Sequence, residues 1–227
     1  MTTVNDKNDS QKYWLEQSES QSHSEGVSRA GTKLSDAVKK FGFDFAGKNV
    51  LDIGSSTGGF TEVALDQGAK KVVAIEKGTK QMDESVASDE RVDLHEKTDI
   101  FTVGQDITGD IDVILADVSF VSLRKVLEYV KRELLSKDET DLLVMLKPQF
   151  EARPEQLLRG VVRNDKIRRD IIKQFETWVR SRGFVIINKC DNDLPGKKGN
   201  IERFYWLKMT KRFNTQKNAR QRENLWG

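Results

Sequence analysis

An acidic residue and a lysine lie directly after two apolar runs near the middle of the chain, where they could perform acid–base chemistry. Asp117 follows the run at 111–116, and Lys147 follows the run at 142–146. A lysine beside apolar neighbours loses hydration, which favours its neutral form and makes it a candidate general base. Such a base could take the proton from a hydroxyl nucleophile during a group transfer. An ion pair with a purely structural role is the alternative interpretation.

A glycine-containing turn after the run at 49–53 indicates a ligand that the backbone approaches closely. Gly54 and Gly59 belong to this turn, and the helix expected after it offers free amide groups. Ser56 occupies the second glycine position of the dinucleotide fingerprint, and Asp52 is an unfavourable neighbour for phosphate. Both residues argue against a pyrophosphate, and Asp52 suits a ligand with positive charge, such as S-adenosylmethionine. A β–α turn without a ligand is the alternative.

Two further acids follow the next two apolar runs. Glu76 lies 22 residues after Gly54, at the end of the run at 71–75. An acid at this position can accept hydrogen bonds from both ribose hydroxyls of a nucleoside. Asp99 comes after the run at 92–95 and could bind an adenine amino group, although a helix cap is an equally common role for such an aspartate.

These side chains require a scaffold that brings the ends of several strands together. Short runs rich in Val, Ile and Leu alternate with segments of helical periodicity, which predicts an α/β fold with a mainly parallel sheet and helices on both faces. Ligands of such sheets bind beyond the carboxyl ends of the strands. The predicted strands are 49–53, 71–75, 92–95, 111–116, 142–146, 184–188 and 204–209, and the predicted helices are 28–41, 59–67, 123–134 and 165–182.

The small net charge of +2 conceals a strong asymmetry along the chain. Residues 1–27 carry −3, residues 28–150 carry −5, and residues 151–227 carry +10. A basic segment is typical of proteins that bind a polyanion such as RNA, whereas a lysine-rich surface without a partner is the alternative. For the basic run at 163–173, a solvated helix face is an equally good interpretation. The candidate RNA-binding residues are Arg153, Arg159, Arg163, Lys166, Arg168 and Arg169.

Length and composition exclude several other classes of protein. The 227 residues suffice for one well-buried domain, and no run approaches the roughly 18 apolar residues of a membrane span. The N-terminus lacks the basic and apolar regions of a secretory signal, and the single Cys190 fits a reducing cytosol. We therefore expect a cytoplasmic protein. His23 and His95 have no second histidine nearby, so no metal site is predicted.

Six stretches carry a more specific signal: SRAGTKL, LDIGSSTGGFTEVALDQGAKKVVAIEKG, ADVSFVSL, LKPQFEA, GVVRND and GNIERFYWL. In order and spacing they resemble the TlyA (haemolysin-A-like) branch of the FtsJ-type RNA methyltransferases, over about residues 28–209. The resemblance implies a class I, Rossmann-like methyltransferase with a seven-stranded sheet. It also implies S-adenosylmethionine as the methyl donor and 2′-O-ribose methylation of RNA, with ribosomal RNA as the partner.

The resemblance assigns roles to individual residues of this chain. Lys147 orients or deprotonates the 2′-hydroxyl, Asp117 and Glu202 hold and tune its ammonium group, and Lys33 positions the RNA and completes the network. No Asn/Asp-Pro-Pro-Tyr/Phe motif is present at Asp117, which argues against methylation of a base amine. Cys190 lies outside the motifs, which argues against a thiolate mechanism. The cofactor-binding residues are Asp52, Gly54, Ser55, Gly59, Glu76 and Asp99.

The resemblance also shows one departure, and two other hypotheses stay open. Family members typically carry an N-terminal S4 RNA-binding domain, whereas residues 1–27 are too few and too polar for one. We expect polar tails at 1–27 and 210–227 around a methyltransferase domain at 28–209. A non-catalytic RNA-binding or ribosome-assembly protein on the same scaffold is the main alternative. Pore formation, which the haemolysin label suggests, is the other hypothesis. The sequence contains no amphipathic lytic segment that would support it.

Overall fold

Seven strands form one sheet in the part of the chain that the computed structural model describes, which is residues 28–135, 139–196 and 198–209. The strand order is β3-β2-β1-β4-β5-β7-β6. β7 runs antiparallel to both β5 and β6, and the remaining pairs are parallel. The strands are β1 (Asn49–Ile53), β2 (Lys71–Ile75), β3 (Val92–His95), β4 (Val113–Ala116), β5 (Asp141–Leu146), β6 (Phe184–Asp191) and β7 (Arg203–Met209).

Helices of very different length connect these strands. The two longest have clear N-terminal caps, because Ser28 Oγ accepts a hydrogen bond from Gly31 N and Asn164 Oδ1 accepts one from Lys166 N. The helices are α1 (Arg29–Phe41), α2 (Gly59–Asp66), α3 (Glu84–Ala87), α4 (Gln105–Thr108), α5 (Leu123–Tyr129), α6 (Pro148–Glu151) and α7 (Asp165–Ser181). Two 3₁₀ turns lie at Ile100–Thr102 and Pro154–Gln156.

Both faces of the sheet are covered, which explains why the central strands read as continuous apolar runs. On one face, β1, β4 and β5 pack against α1 and α2 through residues such as Leu34 and Phe60. On the other face, α5 and α7 contribute Leu127 and Phe175 to a second core. Every residue of β5 is buried. The predicted mainly parallel α/β sheet with helices on both faces is therefore confirmed.

Three differences from the predicted elements extend beyond a single residue. The helix predicted at 123–134 changes from α-helical to π-helical geometry at Val130–Leu134, which apolar periodicity does not reveal. β6 continues through polar residues to Asp191, because its register with β7 shifts between Ile186 and Asn188. β4 begins at Val113, two residues later than predicted.

The two predicted tails, at 1–27 and 210–227, lie outside the described residues, so the predicted domain boundaries stay predictions. Within the described part, no helix is both long and apolar enough to cross a membrane.

The register of the sheet places three strand ends side by side. Ile53 at the end of β1 pairs with Ala116 at the end of β4, and Ala116 pairs with Val144 in β5. The residues that follow these strands therefore share one edge of the sheet. The strand order also reverses between β1 and β4, and crevices at such a reversal are where α/β sheets bind ligands.

Candidate active site

Asp117 and Lys147 meet at this edge, as their positions after adjacent strands predict. Lys147 Nζ lies 2.7 Å from Asp117 Oδ1, and the two side chains are 12% and 17% exposed. The ammonium group also donates a hydrogen bond of 2.9 Å to Ser119 Oγ. The ion pair with Asp117 and the hydrogen bond to Ser119 thus hold the amine at this edge of the sheet, where its small exposure leaves it open to a ligand.

Lys33 and Glu202 form a second, more deeply buried ion pair. Lys33 Nζ in α1 lies 2.6 Å from Glu202 Oε2, and the side chains are only 8% and 5% exposed. The resemblance implied that Glu202 helps to hold Lys147, but its carboxylate instead binds Lys33. The four residues of the implied tetrad therefore form two ion pairs. Because removing one partner of a buried pair leaves an unpaired charge, we expect the loss of either residue alone to destabilise the fold.

A buried asparagine that the sequence analysis missed anchors the segment before Glu202. Asn200 Oδ1 accepts a hydrogen bond of 3.0 Å from Val162 N, and Asn200 Nδ2 donates one of 3.1 Å to Gly160 O. Asn200 therefore ties the GNIERF stretch to the GVVRND stretch. The occurrence of both stretches in one resemblance was the signal that could have identified this contact.

The glycine turn after β1 is tightly folded against the loop that carries Asp117. Gly54 has φ +80°, and a Cβ at this position would lie 3.0 Å from the Asp117 carbonyl oxygen. A side chain here would meet backbone, so the close approach of the two loops requires glycine. The amides of Gly54 and Ser55 donate to Ile75 O at 2.9 and 3.2 Å, which holds the turn over the end of β2.

Asp52 carries a buried carboxylate beneath this turn. Its Oδ2 accepts a hydrogen bond of 2.7 Å from Thr61 Oγ1. Burial, together with smaller effects from the charges of Asp117 and Glu76, raises the pKa of Asp52 to about 7, against the hydrogen bond from Thr61. Among the described residues, Asp52 Oδ1 and Ser55 Oγ are buried atoms without a hydrogen-bond partner. Buried polar atoms of this kind require a partner from outside the chain.

The polar atoms around this turn fit the chemistry of S-adenosylmethionine. A ligand ammonium group suits the orphaned carboxylate oxygen of Asp52, because it supplies both a donor and the missing positive charge. Glu76 is held in place beside the turn, since its two carboxylate oxygens accept hydrogen bonds from Ser56 N and Gly78 N. An acid fixed at the end of β2 suits ribose hydroxyls. The residues present therefore fit the group.

Asp99 takes the capping role that the sequence left as an alternative. Its Oδ1 accepts a hydrogen bond of 3.1 Å from Phe101 N at the start of a 3₁₀ turn, and Lys77 Nζ lies 2.9 Å from its Oδ2. The hydrogen bond from Lys77 lowers the pKa of Asp99. A direct role of this carboxylate in binding adenine stays a prediction.

Gly59 makes a packing contact rather than leaving open space for a ligand. A Cβ at Gly59 would lie 1.8 Å from Ser28 Oγ and 2.8 Å from Gly31 N, so the start of α1 rests directly on the start of α2. Because Lys33 follows on α1, this contact also helps to position the second ion pair.

We expect Gly59→Ala to displace the start of α1 and to lower the free energy of unfolding by about 1–3 kcal/mol, as overpacking does in other cores. Denaturant unfolding monitored by circular dichroism measures this change. Gly42→Ala is the control, because Gly42 has no close neighbours and lies in the left-handed helical region, so this variant measures the backbone cost alone. Equal stability of Gly59→Ala and the unmodified protein would contradict the packing role.

An aromatic pair at the mouth of the cleft was also missed by the sequence analysis. Phe120 is 55% exposed and has φ +64°, a backbone conformation that bulky residues rarely adopt. Its ring lies 5.4 Å from the ring of Phe150, and Lys147 Nζ lies 6.0 Å from the Phe150 centroid. The exposed ring of Phe120, which packs on Phe150 next to the Lys147 amine, is suited to stacking on a planar ligand.

The candidate RNA-binding residues divide into two groups. Arg168 is half-buried, where its guanidinium lies 2.6 Å from Asp191 Oδ1 and donates to Ile201 O. This arginine therefore stabilises the contact between α7 and the segment before β7. The exposed members are Arg153, Arg159, Arg163, Lys166 and Arg169.

Cys190 shows no feature of a nucleophile. It is half-buried in β6, and burial raises the pKa of its thiol. A raised thiol pKa lowers the fraction of the reactive thiolate. The geometry therefore supports the expectation that no cysteine-based step operates here.

A mainly parallel sheet of this order, with an acid within β1, a glycine turn after it and acids after β2 and β4, defines a Rossmann-like methyltransferase fold. The model of the FtsJ-like methyltransferase family matches residues 26–209, and the chain belongs to that family. Both the predicted fold class and the family resemblance are thereby confirmed.

The most similar relatives include two enzymes named for RNA methylation. Over 182 residues the chain is 35% identical to the 23S rRNA (cytidine-2′-O)-methyltransferase TlyA of Campylobacter jejuni, covering 79% of this chain and 70% of that protein. Over 184 residues it is 36% identical to the 16S/23S rRNA (cytidine-2′-O)-methyltransferase TlyA of Mycobacterium tuberculosis, covering 80% and 68%. Among solved structures, the "Putative hemolysin from Streptococcus thermophilus" superposes with a TM-score of 0.77 at 33% identity, covering 85% and 70%.

Proposed function

We propose that this protein is an S-adenosylmethionine-dependent RNA methyltransferase that modifies the ribose 2′-hydroxyl of ribosomal RNA. The observation that carries the proposal is the Lys147–Asp117 pair, which lies at the same sheet edge as the orphaned polar atoms of Asp52 and Ser55. A candidate base and a candidate cofactor pocket thus adjoin one cleft. The names of the Campylobacter and Mycobacterium relatives supply the RNA class.

In this proposal Lys147 acts on the hydroxyl group of the ribose. The Lys147 ammonium first releases a proton to solvent, and its Nζ then takes the proton from the 2′-hydroxyl as the oxygen becomes a nucleophile. Asp117, 2.7 Å away, stabilises the ammonium group that results, and Ser119 keeps the amine directed into the cleft. Lys33 and Glu202 hold α1 and the segment before β7 together at the side of the cleft.

S-adenosylmethionine, when bound, supplies the electrophilic methyl group that the hydroxyl oxygen attacks. On the protein side, Asp52 and Ser55 provide hydrogen-bond acceptors beneath the turn, and Glu76 provides a carboxylate for the ribose hydroxyls. Gly54 keeps the turn close to the Asp117 loop, so that the cofactor pocket and the Lys147 amine share one cleft. Gly59 contributes by fixing the start of α2 against α1.

RNA would be held by phosphate contacts and by base stacking. The five exposed basic residues of the C-terminal third provide charge for phosphate groups, which position RNA without reading its sequence. Phe120, backed by Phe150, provides a ring on which a base can stack next to Lys147. The names of the two relatives, both of which specify cytidine, support a cytidine as the nucleotide that stacks there.

We expect Phe120→Ala to weaken RNA binding by about 5- to 100-fold, since one stacked base contributes about 1–3 kcal/mol. Affinity for S-adenosylmethionine should stay unchanged, because Phe120 is not among the residues proposed to bind the cofactor. Fluorescence anisotropy with a labelled ribosomal RNA fragment measures the first, and calorimetry measures the second. Ile187→Ala on the edge strand β6, which is 46% exposed, is the control for loss of a surface apolar side chain. Equal RNA affinity of both variants would contradict the stacking role.

The experiment that tests the proposal in cells is a map of 2′-O-methyl sites in cellular RNA with and without this protein. We expect at least one ribosomal RNA site to lose its methyl group when the protein is absent and to regain it with the unmodified protein but not with Lys147→Ala. A map that is unchanged by loss of the protein, together with tight RNA binding, would favour the non-catalytic RNA-binding alternative. A cytoplasmic location, which this substrate requires in bacteria, belongs to the same proposal.

A further inference from the structure

Glu151 has a buried carboxylate whose contacts all lie in the loop that carries Asp117. One carboxylate oxygen accepts a hydrogen bond of 2.7 Å from Leu123 N, and Ser122 Oγ lies 2.9 and 2.8 Å from the two oxygens. Arg124 Nε lies 3.3 Å from Oε2, and the Glu151 side chain is only 4% exposed. Burial raises the pKa of this carboxyl group, against the hydrogen bonds from Ser122 and Leu123.

The position of Glu151 in the chain gives these contacts a consequence for Lys147. Glu151 ends α6, a single helical turn that begins directly after Lys147. Ser122 lies five residues after Asp117 and caps α5. The same two segments, 117–122 and 147–151, are therefore joined at both ends. Lys147 contacts Asp117 and Ser119 at one end, and Glu151 contacts Ser122 and Leu123 at the other.

Each of these two connections limits how far the segments can move relative to each other at the other connection. If the contacts of Glu151 were lost, α6 could shift against the loop at 117–122, and the amine of Lys147 would move with α6. Displacement of a reacting group by about 1 Å can cost about 100-fold in rate. A buried carboxylate is also costly unless it is hydrogen-bonded, so the contacts with Ser122 and Leu123 hold Glu151 firmly in this place.

We propose that Glu151 is a positioning residue for the reaction, which fixes the Lys147 amine against Asp117 by locking α6 onto the start of α5. This inference rests on the proposed function for its effect on rate. Its structural part, the fixed position of the Lys147 amine, is independent of which substrate the protein methylates. Glu151 itself acts through Lys147 and needs no contact with RNA or cofactor.

Glu151→Gln is the first test, because the amide keeps the shape of the side chain but has one acceptor oxygen for the donors that now share two. We expect kcat for methyl transfer to fall about tenfold or more, with KM for RNA and Kd for S-adenosylmethionine within twofold of the unmodified protein. Ser122→Ala should lower kcat in the same direction, and the double variant should lose less than the product of the two effects. Ser122→Ala also keeps the test open if Glu151→Gln does not fold.

Glu176→Gln is the matched control. Glu176 in α7 is also largely buried, and it also has several partners, which are Lys189, Tyr205, Arg180 and Arg203. It contacts neither of the segments at 117–122 and 147–151 in these interactions. We expect this variant to lose stability in denaturant unfolding and to keep its kcat, which separates positioning from general destabilisation.

A readout that does not depend on activity is the reactivity of the Lys147 amine. Brief acetylation followed by peptide mass spectrometry should show Lys147 labelled several-fold faster in Glu151→Gln than in the unmodified protein or in Glu176→Gln. If the unmodified protein transfers no methyl group to RNA, the proposed function is overturned. The labelling of Lys147 would still decide the inference on Glu151. Unchanged labelling of Lys147, or an equal loss of kcat in both glutamate variants, would overturn the positioning role.

Discussion

Lys147→Ala should lower kcat for RNA methylation by about 100- to 10,000-fold, the range expected when a general base is removed. Asp117→Asn should lower it as well, because the amide no longer stabilises an ammonium group 2.7 Å away. Lys147→Ala leaves the turn at Asp52 and Ser55 unchanged, so we expect its Kd for S-adenosylmethionine to stay within a few-fold. Transfer of a labelled methyl group to ribosomal RNA measures the rate, and calorimetry measures cofactor binding.

The control for this prediction is a second lysine–aspartate pair of the same length. Lys71 Nζ lies 2.7 Å from Asp93 Oδ2, between the first residue of β2 and β3, away from the strand ends that form the cleft. Both side chains are far more exposed than those of Lys147 and Asp117, so the pair contributes little to stability. Lys71→Ala should keep full activity. Full activity of Lys147→Ala would show that the amine has no chemical role.

Asp52→Asn should make the cofactor-free protein more stable above pH 7 and should weaken S-adenosylmethionine binding. The pKa of Asp52 rises from an ordinary value of 3.8 to about 7 on folding. Folding therefore favours the protonated form, and the unmodified protein loses stability as the pH rises from about 4 to 7. An asparagine does not ionise, so above pH 7 we expect a gain of about 1–3 kcal/mol, reduced by the cost of its unpartnered amide.

The same substitution removes the negative charge that suits the cofactor's ammonium group, so its Kd should increase about tenfold or more at pH 8. Denaturant unfolding at pH 5 and pH 8, and calorimetry with S-adenosylmethionine at pH 8, measure the two effects. Asp44→Asn, at an exposed aspartate between α1 and β1, is the control. A variant that is less stable than the unmodified protein at pH 8 and binds the cofactor equally well would contradict this assignment.

The central sheet and the Lys147–Asp117 pair were predictable from the sequence because their signals are local. Strands buried on both faces are continuous apolar runs, and the predicted bounds of β1, β2 and β3 agree with the structure. Adjacent parallel strands place the residues after them at one edge, which was sufficient to bring Asp117 and Lys147 together. The family resemblance added Lys33 and Glu202, which apolar patterning alone would not have selected.

Other features depend on contacts between distant segments, which no local pattern encodes. Lys33 and Glu202 are 169 residues apart, and their pairing is set by how α1 packs beside the segment before β7. The contact of Phe120 with Phe150 joins the segments after β4 and β5, which are 30 residues apart in the chain. Arg168 is one of several basic residues on α7, and only the fold shows that it binds Asp191. The contacts of Glu151 with Ser122 and Leu123 also join distant segments, so only the folded structure reveals them.

The most direct test of the central claim is nucleoside mass spectrometry of ribosomal RNA after incubation with the purified protein and methyl-labelled S-adenosylmethionine. The account predicts a labelled 2′-O-methylnucleoside that the unmodified protein and Lys71→Ala both produce and that Lys147→Ala does not. Label on a base, or label on the ribose that Lys147→Ala produces at the unmodified rate, would contradict it.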